Sequence, residues 1–478
     1  MTGTKVPEGR RGRGSVLMRN TAVFAIGNLA VKVVSLVLMP LYTTSLTAAE
    51  YGVAELVNSG IEIALPLLSL GVIEALYRFS INEGVSKRAL LANSSIVLLG
   101  GIAAAAVLVF VSGRWFGFNN APEFFALFVA ASFYKATTQF ARGLGHVRRF
   151  VLYGLLNAVV LVASSGLLLV WLRAGVAGYL WSYTLGFSIA GSVAFVASRE
   201  YAMLMPLRPD PVLLRRMLGY SFPLVPNLLS WWVVSVSGRY IVLWGAGAAA
   251  AGLFTAASKM PALVNVATSV FQQAWQYSTA IEINSADGGV FFGRVLRYYS
   301  LAVLSMAGVI IALNRIISVL LLQSEFRDAW RFVPLLLLAA SFGAMSLFFE
   351  SFYQALLKSR MLMISTMIGA VVNVVMALLL VQILGAWGAA IAAVSAYAVV
   401  LVVRIRDIVK RIEIPISRAR LAYQLGLLSV SAVCMSFADA EWLAAVNGCC
   451  LLLLFTSDTD VLREGFARLR RSVSRQGK

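Results

Sequence analysis

The chain has 478 residues, of which 60% are hydrophobic and only 13% are charged, and its formal net charge is +19. This composition excludes an ordinary soluble domain. The basic residues lie in short segments between apolar runs, and none of these segments resembles a nucleic-acid-binding module, so no DNA or RNA partner is predicted. Three cysteines in apolar surroundings and a single histidine in a basic loop predict neither a disulfide framework nor a metal site.

Fourteen apolar segments follow one another along the chain. Each is about 20 residues long, which is the length that a helix needs to cross a bilayer, whereas a barrel would show alternating segments of about ten residues. We therefore predict an all-α integral membrane protein with about 14 transmembrane helices. The predicted limits are 21–42, 52–77, 90–112, 122–141, 150–172, 175–197, 219–244, 250–275, 298–321, 333–356, 361–383, 386–403, 420–437 and 441–456.

Lysines and arginines are distributed unevenly between alternate connections. Of the 40 basic residues, 31 lie on one side of the predicted spans, 5 lie on the other side and 4 lie within spans. Because cytoplasmic loops carry the excess of Lys and Arg, both termini are predicted to be cytoplasmic. The basic start leads into a full-length span without a cleavage site, so we predict no signal peptide.

The four cations within predicted spans are Lys32, Lys135, Arg239 and Lys259. A charged side chain at such depth costs at least about 2.5 kcal/mol on insertion scales, so it is usually retained because it faces a water-filled cavity or binds an anion. Lys32 in the first span and Lys259 in the eighth are predicted near mid-depth. Lys135 and Arg239 lie closer to the interfaces, where snorkelling to the headgroups could also explain them.

Acidic residues form a second group of candidates. Glu55 and Glu62 are seven residues apart in the second span, so they lie on one face of that helix, and Glu350 stands alone in the tenth span. A carboxylate in a cavity of low dielectric constant could couple transport to a proton or Na⁺ gradient. An internal salt bridge to Lys32 or to another basic residue would explain the same carboxylates equally well.

A weak internal repeat relates the two halves of the chain. In the first half, Asn28 precedes Gly52 by 24 residues. In the second half, Asn227 precedes Gly252 by 25 residues. Both copies start on the cytoplasmic side, which favours two parallel six-helix bundles related by a pseudo-two-fold axis around a central cavity. Polar residues at helical spacing in the eighth span, among them Asn265, predict that its polar face lines this cavity.

These limits divide the chain into tails, bundles and two additional helices. The predicted parts are a cytoplasmic basic tail (1–20), an N-terminal six-helix bundle (21–197), a cytoplasmic linker (198–218), a C-terminal six-helix bundle (219–403), two additional helices (420–456) and a second cytoplasmic basic tail (457–478). No connection is long enough for an ATPase domain, and no phosphate-binding loop is present. Any pumping must therefore use an ion gradient, the membrane potential or the substrate gradient. No nucleophile and base are paired in the sequence, so we do not predict an enzyme.

Short motifs in the first, second, seventh and eighth spans resemble those of a known family. They are Asn28, Lys32, Leu41-Tyr42, Tyr51-Gly52, Ser69-Leu70-Gly71 and Arg78-Phe79, then Pro223, Pro226 and Arg239-Tyr240, then Lys259 and Trp275. In these motifs the chain resembles the polysaccharide-transport flippases of the multidrug/oligosaccharidyl-lipid/polysaccharide exporter superfamily. The family often has an aspartate before the Arg-Tyr pair. This chain has Gly238 there, which leaves Arg239 without the usual adjacent carboxylate.

The resemblance implies export of an undecaprenyl-pyrophosphate oligosaccharide from the cytoplasmic to the periplasmic leaflet of the bacterial inner membrane, for exopolysaccharide, O-antigen or capsule synthesis. A pyrophosphate headgroup needs cations at depth to offset its desolvation. The expected substrate-binding residues are Lys32, Lys259, Arg239, Lys135, Asn28 and Asn265, and the expected coupling residues are Glu62, Glu55 and Glu350. No cofactor is expected apart from a proton or Na⁺ gradient. A polysaccharide polymerase and a chain-length regulator are expected partners.

Three alternatives remain open at this point. A lipid II flippase would share the fold and a cation-rich cavity, but the opening motifs fit the polysaccharide group better. A multidrug antiporter of the same superfamily usually has twelve spans and acidic cation-binding sites. A membrane polysaccharide polymerase would be an enzyme, and polymerases tend to have a large periplasmic loop, whereas the outer connections here are short.

Overall fold

The computed structural model describes residue 34 and residues 36–81, 84–116, 119–204, 208–283, 285, 287–356, 358–437 and 442–457. These residues form helices, and no strand occurs among them. Nine of the described helices are long and apolar enough to cross a membrane, or ten if a bent pair at residues 48–80 counts as one span. The all-α membrane architecture is therefore confirmed, while the count of fourteen spans stays a prediction.

The described part of the chain divides into two compact units. The first contains the residues up to Leu46 together with Val53–Leu229, and the second contains Thr47–Gly52 together with the residues from Ser230 onward. The pseudo-two-fold relation of the two predicted bundles stays a prediction. The helices that begin before Ser230 are α1 (Met39–Ser45), α2 (Ala48–Leu68), α3 (Val72–Ser80), α4 (Lys87–Phe116), α5 (Ala121–Gly143), α6 (Val147–Ser165), α7 (Gly175–Ala197), α8 (Glu200–Leu204), α9 (Pro211–Ser221) and α10 (Val225–Ala257).

Small residues allow close helix crossings in the first unit. Helix α5 packs against α3, and both α5 and α6 pack against α7. A Cβ atom built on Gly143 of α5 would lie 2.4 Å from the Cβ atom of Ser80 in α3. Glycine at this position therefore lets the two backbones approach, which is how helices commonly associate where no water is present to drive apolar burial.

The second predicted span, 52–77, is not one straight helix. Helices α2 and α3 are bent by 69° at the intervening Ser69-Leu70-Gly71 segment. Leu70 and Gly71 adopt left-handed backbone conformations, with φ of 50° and 67°. The bend frees backbone groups from the helical ladder, and Ser221 Oγ donates a hydrogen bond to the carbonyl oxygen of Leu70 at 2.8 Å. An outside donor of this kind is what makes a broken helix tolerable in a membrane protein.

The connection before α9 is held to α4 by an asparagine. Asn93 is fully buried, and its side chain exchanges two hydrogen bonds with the backbone of Asp210, at 2.8 and 3.0 Å. The Asp210 carboxylate in turn accepts hydrogen bonds from the backbone N–H groups of Val212 and Leu213. Asp210 therefore caps α9, and Pro211 at the first helical position is compatible with that start.

The second unit consists of the main part of α10 and eight further helices among the residues described. These are α11 (Ala262–Glu282), α12 (Gly288–Ala312), α13 (Asn314–Leu321), α14 (Val333–Ala355), α15 (Ser359–Leu384), α16 (Ala386–Val409), α17 (Arg418–Phe437) and α18 (Trp442–Thr456). Helix α16 packs against α14 and α15, and α11 packs against α14. At the crossing of α11 and α14, the ring of Trp275 stacks on Phe348 at a centroid distance of 4.4 Å. The Trp275 indole N–H donates to the Phe348 carbonyl oxygen at 3.0 Å.

The eighth predicted span, 250–275, also differs from a single helix. Residues 248–257 belong to α10, which is interrupted at Gly247 by a non-helical φ of 86°, and α11 begins only at Ala262. Gly52 and Gly252, the corresponding glycines of the two repeats, are in close contact within this unit. A Cβ atom on Gly252 would be 1.8 Å from the Ala48 carbonyl oxygen, and one on Gly52 would be 2.8 Å from the Gly252 nitrogen. This approach leaves no room for a side chain at either position.

Candidate functional site

A cavity of about 460 Å³, lined by both polar and apolar side chains, lies inside the second unit between α10, α11, α14, α15 and α16. Helix α10 contributes Trp231, Ser235 and Arg239, which follow one another at four-residue spacing and therefore lie on one face of the helix. Helix α11 contributes Asn265 and Ser269 at the same spacing. The predicted polar face of the eighth span thus contributes to a real cavity in this unit.

Gln272 of α11 and Asn373 of α15 line the cavity with their amide nitrogens held by other helices. Gln272 Nε2 donates to the Leu347 carbonyl oxygen at 2.9 Å and to Ser351 Oγ at 3.0 Å. Asn373 Nδ2 donates to acceptors in residues 233–237 of α10 at 3.2 to 3.3 Å. The opposite atoms, Gln272 Oε1 and Asn373 Oδ1, are buried without a hydrogen-bond partner among the described residues. Each amide therefore has one unpartnered acceptor oxygen in a residue that lines the cavity.

The serine hydroxyls around the cavity donate their protons to their own helices. Ser235 Oγ donates to the Trp231 carbonyl oxygen at 2.8 Å, and Ser258 Oγ donates to the Phe254 carbonyl oxygen at 2.7 Å. Ser269 Oγ donates in the same way within α11, at 2.8 Å. Such bonds to the preceding turn occupy the hydroxyl proton and leave the oxygen lone pairs available as acceptors.

Arg239 is the cation of this cavity. Its side chain is half-buried, and its Nε atom is buried without a hydrogen-bond partner in the part of the chain that the structure describes. Gly238 precedes it, and the described residues that line the cavity include no carboxylate. Of the predicted substrate-binding residues, the structure brings Arg239 and Asn265 together here.

The other predicted cations lie elsewhere. Lys259 is half-buried in the turn between α10 and α11. The predicted eighth span, 250–275, is therefore not continuous at this residue, because the chain leaves the helix at Ser258. Lys135 is exposed on α5 of the first unit. Lys32 and Asn28 lie outside the described residues, so their roles stay predictions.

Glu350 has a cationic partner that sequence spacing did not indicate. Arg404 lies within α16 and is 1% exposed, although the charge count placed it in a cytoplasmic connection. Its Nη1 atom lies 3.2 Å from Glu350 Oε2 and donates to the Ser346 carbonyl oxygen at 2.9 Å. Its Nε and Nη2 atoms donate to Ser365 and Thr366 of α15, each at 3.1 Å. Arg404 therefore joins α14, α15 and α16.

Glu55 lies in a cluster of tyrosines in the first unit. It is 2% exposed and accepts a hydrogen bond from the Tyr179 hydroxyl of α7. The Tyr179 hydroxyl is also 3.3 Å from that of Tyr183, and the Tyr179 ring lies 4.8 Å from the ring of Tyr42. The Tyr42 hydroxyl is 3.4 Å from Ser165 Oγ. A buried carboxyl group is thus connected to a chain of phenolic hydroxyls.

Glu62 differs from Glu55 although both lie on α2. Its side chain is exposed, whereas Glu55 is buried. The Tyr183 hydroxyl is close enough to interact electrostatically with both carboxylates. The two glutamates are seven residues apart on α2, and their surroundings differ.

The structure adds functional candidates that the sequence analysis did not select. In the second unit these are Trp231, Asn373 and Tyr397 at the cavity and Arg404 beside Glu350, and in the first unit they are Tyr179 and Tyr183. Gln272 also lines the cavity, and it belongs to the polar face that helical spacing predicted for the eighth span. The others come from helices distant in sequence, and no local pattern pairs them.

Apolar helices of membrane-spanning length with a cavity among them define a class of protein, the polytopic membrane proteins. The family described as polysaccharide biosynthesis protein matches residues 17–275, which is more than half of the chain. The chain therefore belongs to this family. A search of curated proteins finds no match.

Solved structures of three transporters share the fold at low identity. A lipid II flippase, MurJ, in an inward closed conformation has 12% identity and a TM-score of 0.65 over 93% of this chain and 100% of its own. An inward-facing multidrug resistance MATE family transporter of the MOP superfamily has 16% identity and a TM-score of 0.67 over 81% and 98%. A MOP superfamily transporter from Pyrococcus furiosus has 16% identity and a TM-score of 0.52 over 82% and 94%. These structures show that the chain has the same fold as these transporters.

Proposed function

We propose that this protein is a flippase for undecaprenyl-pyrophosphate-linked oligosaccharide repeat units. It moves them from the cytoplasmic to the periplasmic leaflet by alternating access, in the synthesis of O-antigen, exopolysaccharide or capsule. The observation that carries the proposal is the match to the polysaccharide biosynthesis family on a fold shared with lipid and drug transporters. A cavity with polar side chains among apolar helices offers a sugar-bearing headgroup an environment that the bilayer core lacks.

The cationic residues fit a pyrophosphate-bearing substrate. Lys259 lies in the turn between α10 and α11 and is half-buried, and Lys135 is exposed on a helix of the first unit. Lys32 belongs to the same proposal from its place in the first predicted span. Lysine is a compact point charge that suits a pyrophosphate group without requiring fixed geometry.

Coupling to a proton or Na⁺ gradient is proposed for the first unit. Glu55 combines burial with a phenolic hydrogen-bond donor, and a carboxyl group with a neutral donor can exist in either protonation state. Glu62 lies seven residues further along α2 and is exposed. We propose that it passes protons between the exterior of the unit and Glu55. Glu350 already interacts with Arg404, which favours a structural role for it.

A lipid II flippase is the second candidate function. The lipid II flippase MurJ shares this fold over 93% of the chain. Lipid II and a lipid-linked repeat unit have the same polyprenyl pyrophosphate part, so the predicted cations suit both. A multidrug antiporter with a cationic substrate is disfavoured, because the described cavity in the second unit contains Arg239 and no carboxylate.

Reconstituted transport would separate these candidates. Proteoliposomes containing the full chain would be loaded with a labelled undecaprenyl-pyrophosphate oligosaccharide or with labelled lipid II, and label accessibility would be followed on each leaflet. We expect faster flipping of the oligosaccharide. A rate for the oligosaccharide equal to that of empty vesicles would contradict the proposal, and flipping of lipid II alone would support the second candidate.

The cation proposal has its own test in the same vesicles. Lys259→Ala and Lys32→Ala should each slow flipping at least tenfold while the protein is inserted at the normal level. The matched control is Lys410→Ala, which removes an exposed cation at the end of α16. Wild-type rates in both variants and in their double would exclude a role for these lysines.

The proposed location is the bacterial inner membrane with both termini in the cytoplasm. A polymerase and a chain-length regulator are the proposed partners. Reporter fusions should place both tails and residues 198–218 inside and residues 313–331 outside. A periplasmic C-terminus would mean that the number of spans is odd.

A further inference from the structure

We propose that the cavity in the second unit binds an uncharged sugar of the transported glycan and does not bind the pyrophosphate. This proposal rests on the proposed flippase function and adds which part of the substrate occupies which site. The sequence grouped Arg239 and Asn265 with the lysines as one cationic site. The hydrogen-bonding groups around the cavity favour a different assignment.

The lining contains donors on Arg239, Trp231 and Tyr397 and also several acceptor oxygens. Gln272 Oε1 and Asn373 Oδ1 are buried without partners, because their amide nitrogens are already bound by neighbouring helices. The hydroxyls of Ser235, Ser258 and Ser269 use their protons within their own helices and add further acceptor oxygens. Buried acceptors without partners are costly, so a ligand that donates hydrogen bonds would relieve that cost.

A pyrophosphate is poorly matched to this lining. Its oxygens only accept hydrogen bonds, so they would face the carbonyl oxygens of Gln272 and Asn373 with like partial charge. A sugar hydroxyl both donates and accepts, so it can donate to these two oxygens and accept from the guanidinium of Arg239. A bound cation is disfavoured in turn, since Arg239 repels it and the described lining contains no carboxylate.

The shape of the cavity also suits a sugar. Trp231 and Tyr397 place two aromatic side chains in the wall, and these offer apolar surface for the C–H face of a sugar ring together with polar tips. The volume of about 460 Å³ falls within the range of small-molecule sites, roughly 300–1,000 Å³. One or two sugar rings are therefore a reasonable occupant.

Binding of free sugars to the full chain tests the proposal directly. The protein would be placed in phospholipid nanodiscs without sugar detergents. Saturation-transfer NMR would then measure binding of the neutral disaccharides maltose, lactose, cellobiose and N,N′-diacetylchitobiose. We expect at least one to bind, with an affinity unchanged by inorganic pyrophosphate or by exchanging Na⁺ for K⁺. Absence of binding by all four, or competition by pyrophosphate, would overturn the proposal.

Variants at the free acceptors sharpen this test. Gln272→Leu and Asn373→Leu should each weaken sugar binding about fivefold, because each removes one hydrogen bond to the sugar. The double variant, which removes both, should weaken binding about 25-fold. Gln276→Leu, one helical turn along α11 and outside the lining, is the matched control and should bind normally. Equal binding by the double variant and the wild type would overturn the assignment.

A cavity-filling variant separates loss of sugar binding from loss of folding. Ser235→Phe fills the space without cutting a bond between helices, because Ser235 Oγ bonds only its own helix. It should abolish sugar binding at an unchanged melting temperature, and retained binding would overturn the proposal. Flipping by the wild-type protein then distinguishes two failures. If the wild type flips the lipid-linked oligosaccharide but Ser235→Phe flips it equally well, the sugar site is wrong and the flippase function stands. If the wild type flips nothing, the proposed function itself fails.

Discussion

Glu55 in the first unit and Glu350 in the second are carboxylates on apolar helices with partners of opposite kind. Glu55 accepts a hydrogen bond from the hydroxyl of Tyr179, which is uncharged. Glu350 interacts with the guanidinium of Arg404, which is charged and itself holds three helices together. A charged partner stabilises the ionised carboxylate, whereas a phenol can serve either protonation state. If the proposed coupling holds, the proton binds at Glu55 in the first unit, whereas Glu350 forms an ion pair in the second.

Glu200 provides a third environment, outside the membrane-spanning helices. It is 2% exposed in α8, and its Oε1 atom has no hydrogen-bond partner among the residues described. Burial raises the pKa of this carboxyl from 4.5 to about 8. Glu350 thus has a charged partner and Glu55 a neutral one, whereas Glu200 has an oxygen without a partner among the residues described.

Removal of Arg404 should have the largest effect. Arg404→Met leaves Glu350 and several hydrogen-bond acceptors without their buried partner, which typically costs about 3–5 kcal/mol of unfolding free energy. The measurement is the melting temperature in nanodiscs, with the exposed Arg406→Met as the control. The double variant Arg404→Met with Glu350→Met should recover much of the loss, because no unpaired charge remains. A single variant as stable as the wild type would show that the ion pair is not structural.

Glu200 should make stability depend on pH. Its pKa is higher in the folded chain than the ordinary 4.5, so the folded state retains the proton, and stability is lost as the pH rises toward about 8. Between pH 5 and pH 8 the loss should be roughly 2–4 kcal/mol, at about 1.4 kcal/mol for each pKa unit. Glu200→Gln should flatten the pH profile of the melting temperature, while the exposed Glu413→Gln should leave it unchanged. An equally steep profile in Glu200→Gln would contradict this.

The sequence predicted the class of fold and part of the cavity, for identifiable reasons. Apolar length marks membrane helices, and four-residue spacing marks the face of α11 that carries Asn265 and Ser269. The partner of Glu350 was not predictable, because Arg404 is 54 residues away and follows an apolar run that looks like the end of a span. The helix breaks at Leu70 and Ser258 were also missed. Hydropathy continues across both segments, and only backbone conformation and contacts reveal the change of direction.

Neutralisation of Glu55 tests the first half of the comparison. If Glu55 binds the coupling proton, Glu55→Gln should reduce the acceleration of flipping by an imposed proton gradient about tenfold, which corresponds to ~1.4 kcal/mol. Glu350→Gln should respond to the gradient as the wild type does, because Arg404 rather than a proton balances Glu350. Vesicles with an imposed pH or Na⁺ gradient provide the measurement. A lost response in Glu350→Gln and a normal one in Glu55→Gln would reverse the assignment.

Glu62 should give the smallest effect of the four glutamates. It lies on the same face of α2 as Glu55, but its side chain is exposed and not enclosed by other side chains, so its replacement should disturb fewer contacts. Glu62→Gln should therefore change the gradient response by less than about twofold, or roughly 0.4 kcal/mol. The matched control is Glu74→Gln, an exposed glutamate beyond the bend in α3. If Glu62→Gln abolished the response while Glu55→Gln preserved it, proton binding would belong to the exposed carboxylate. The contact between Glu55 and the tyrosines would then have only a structural role.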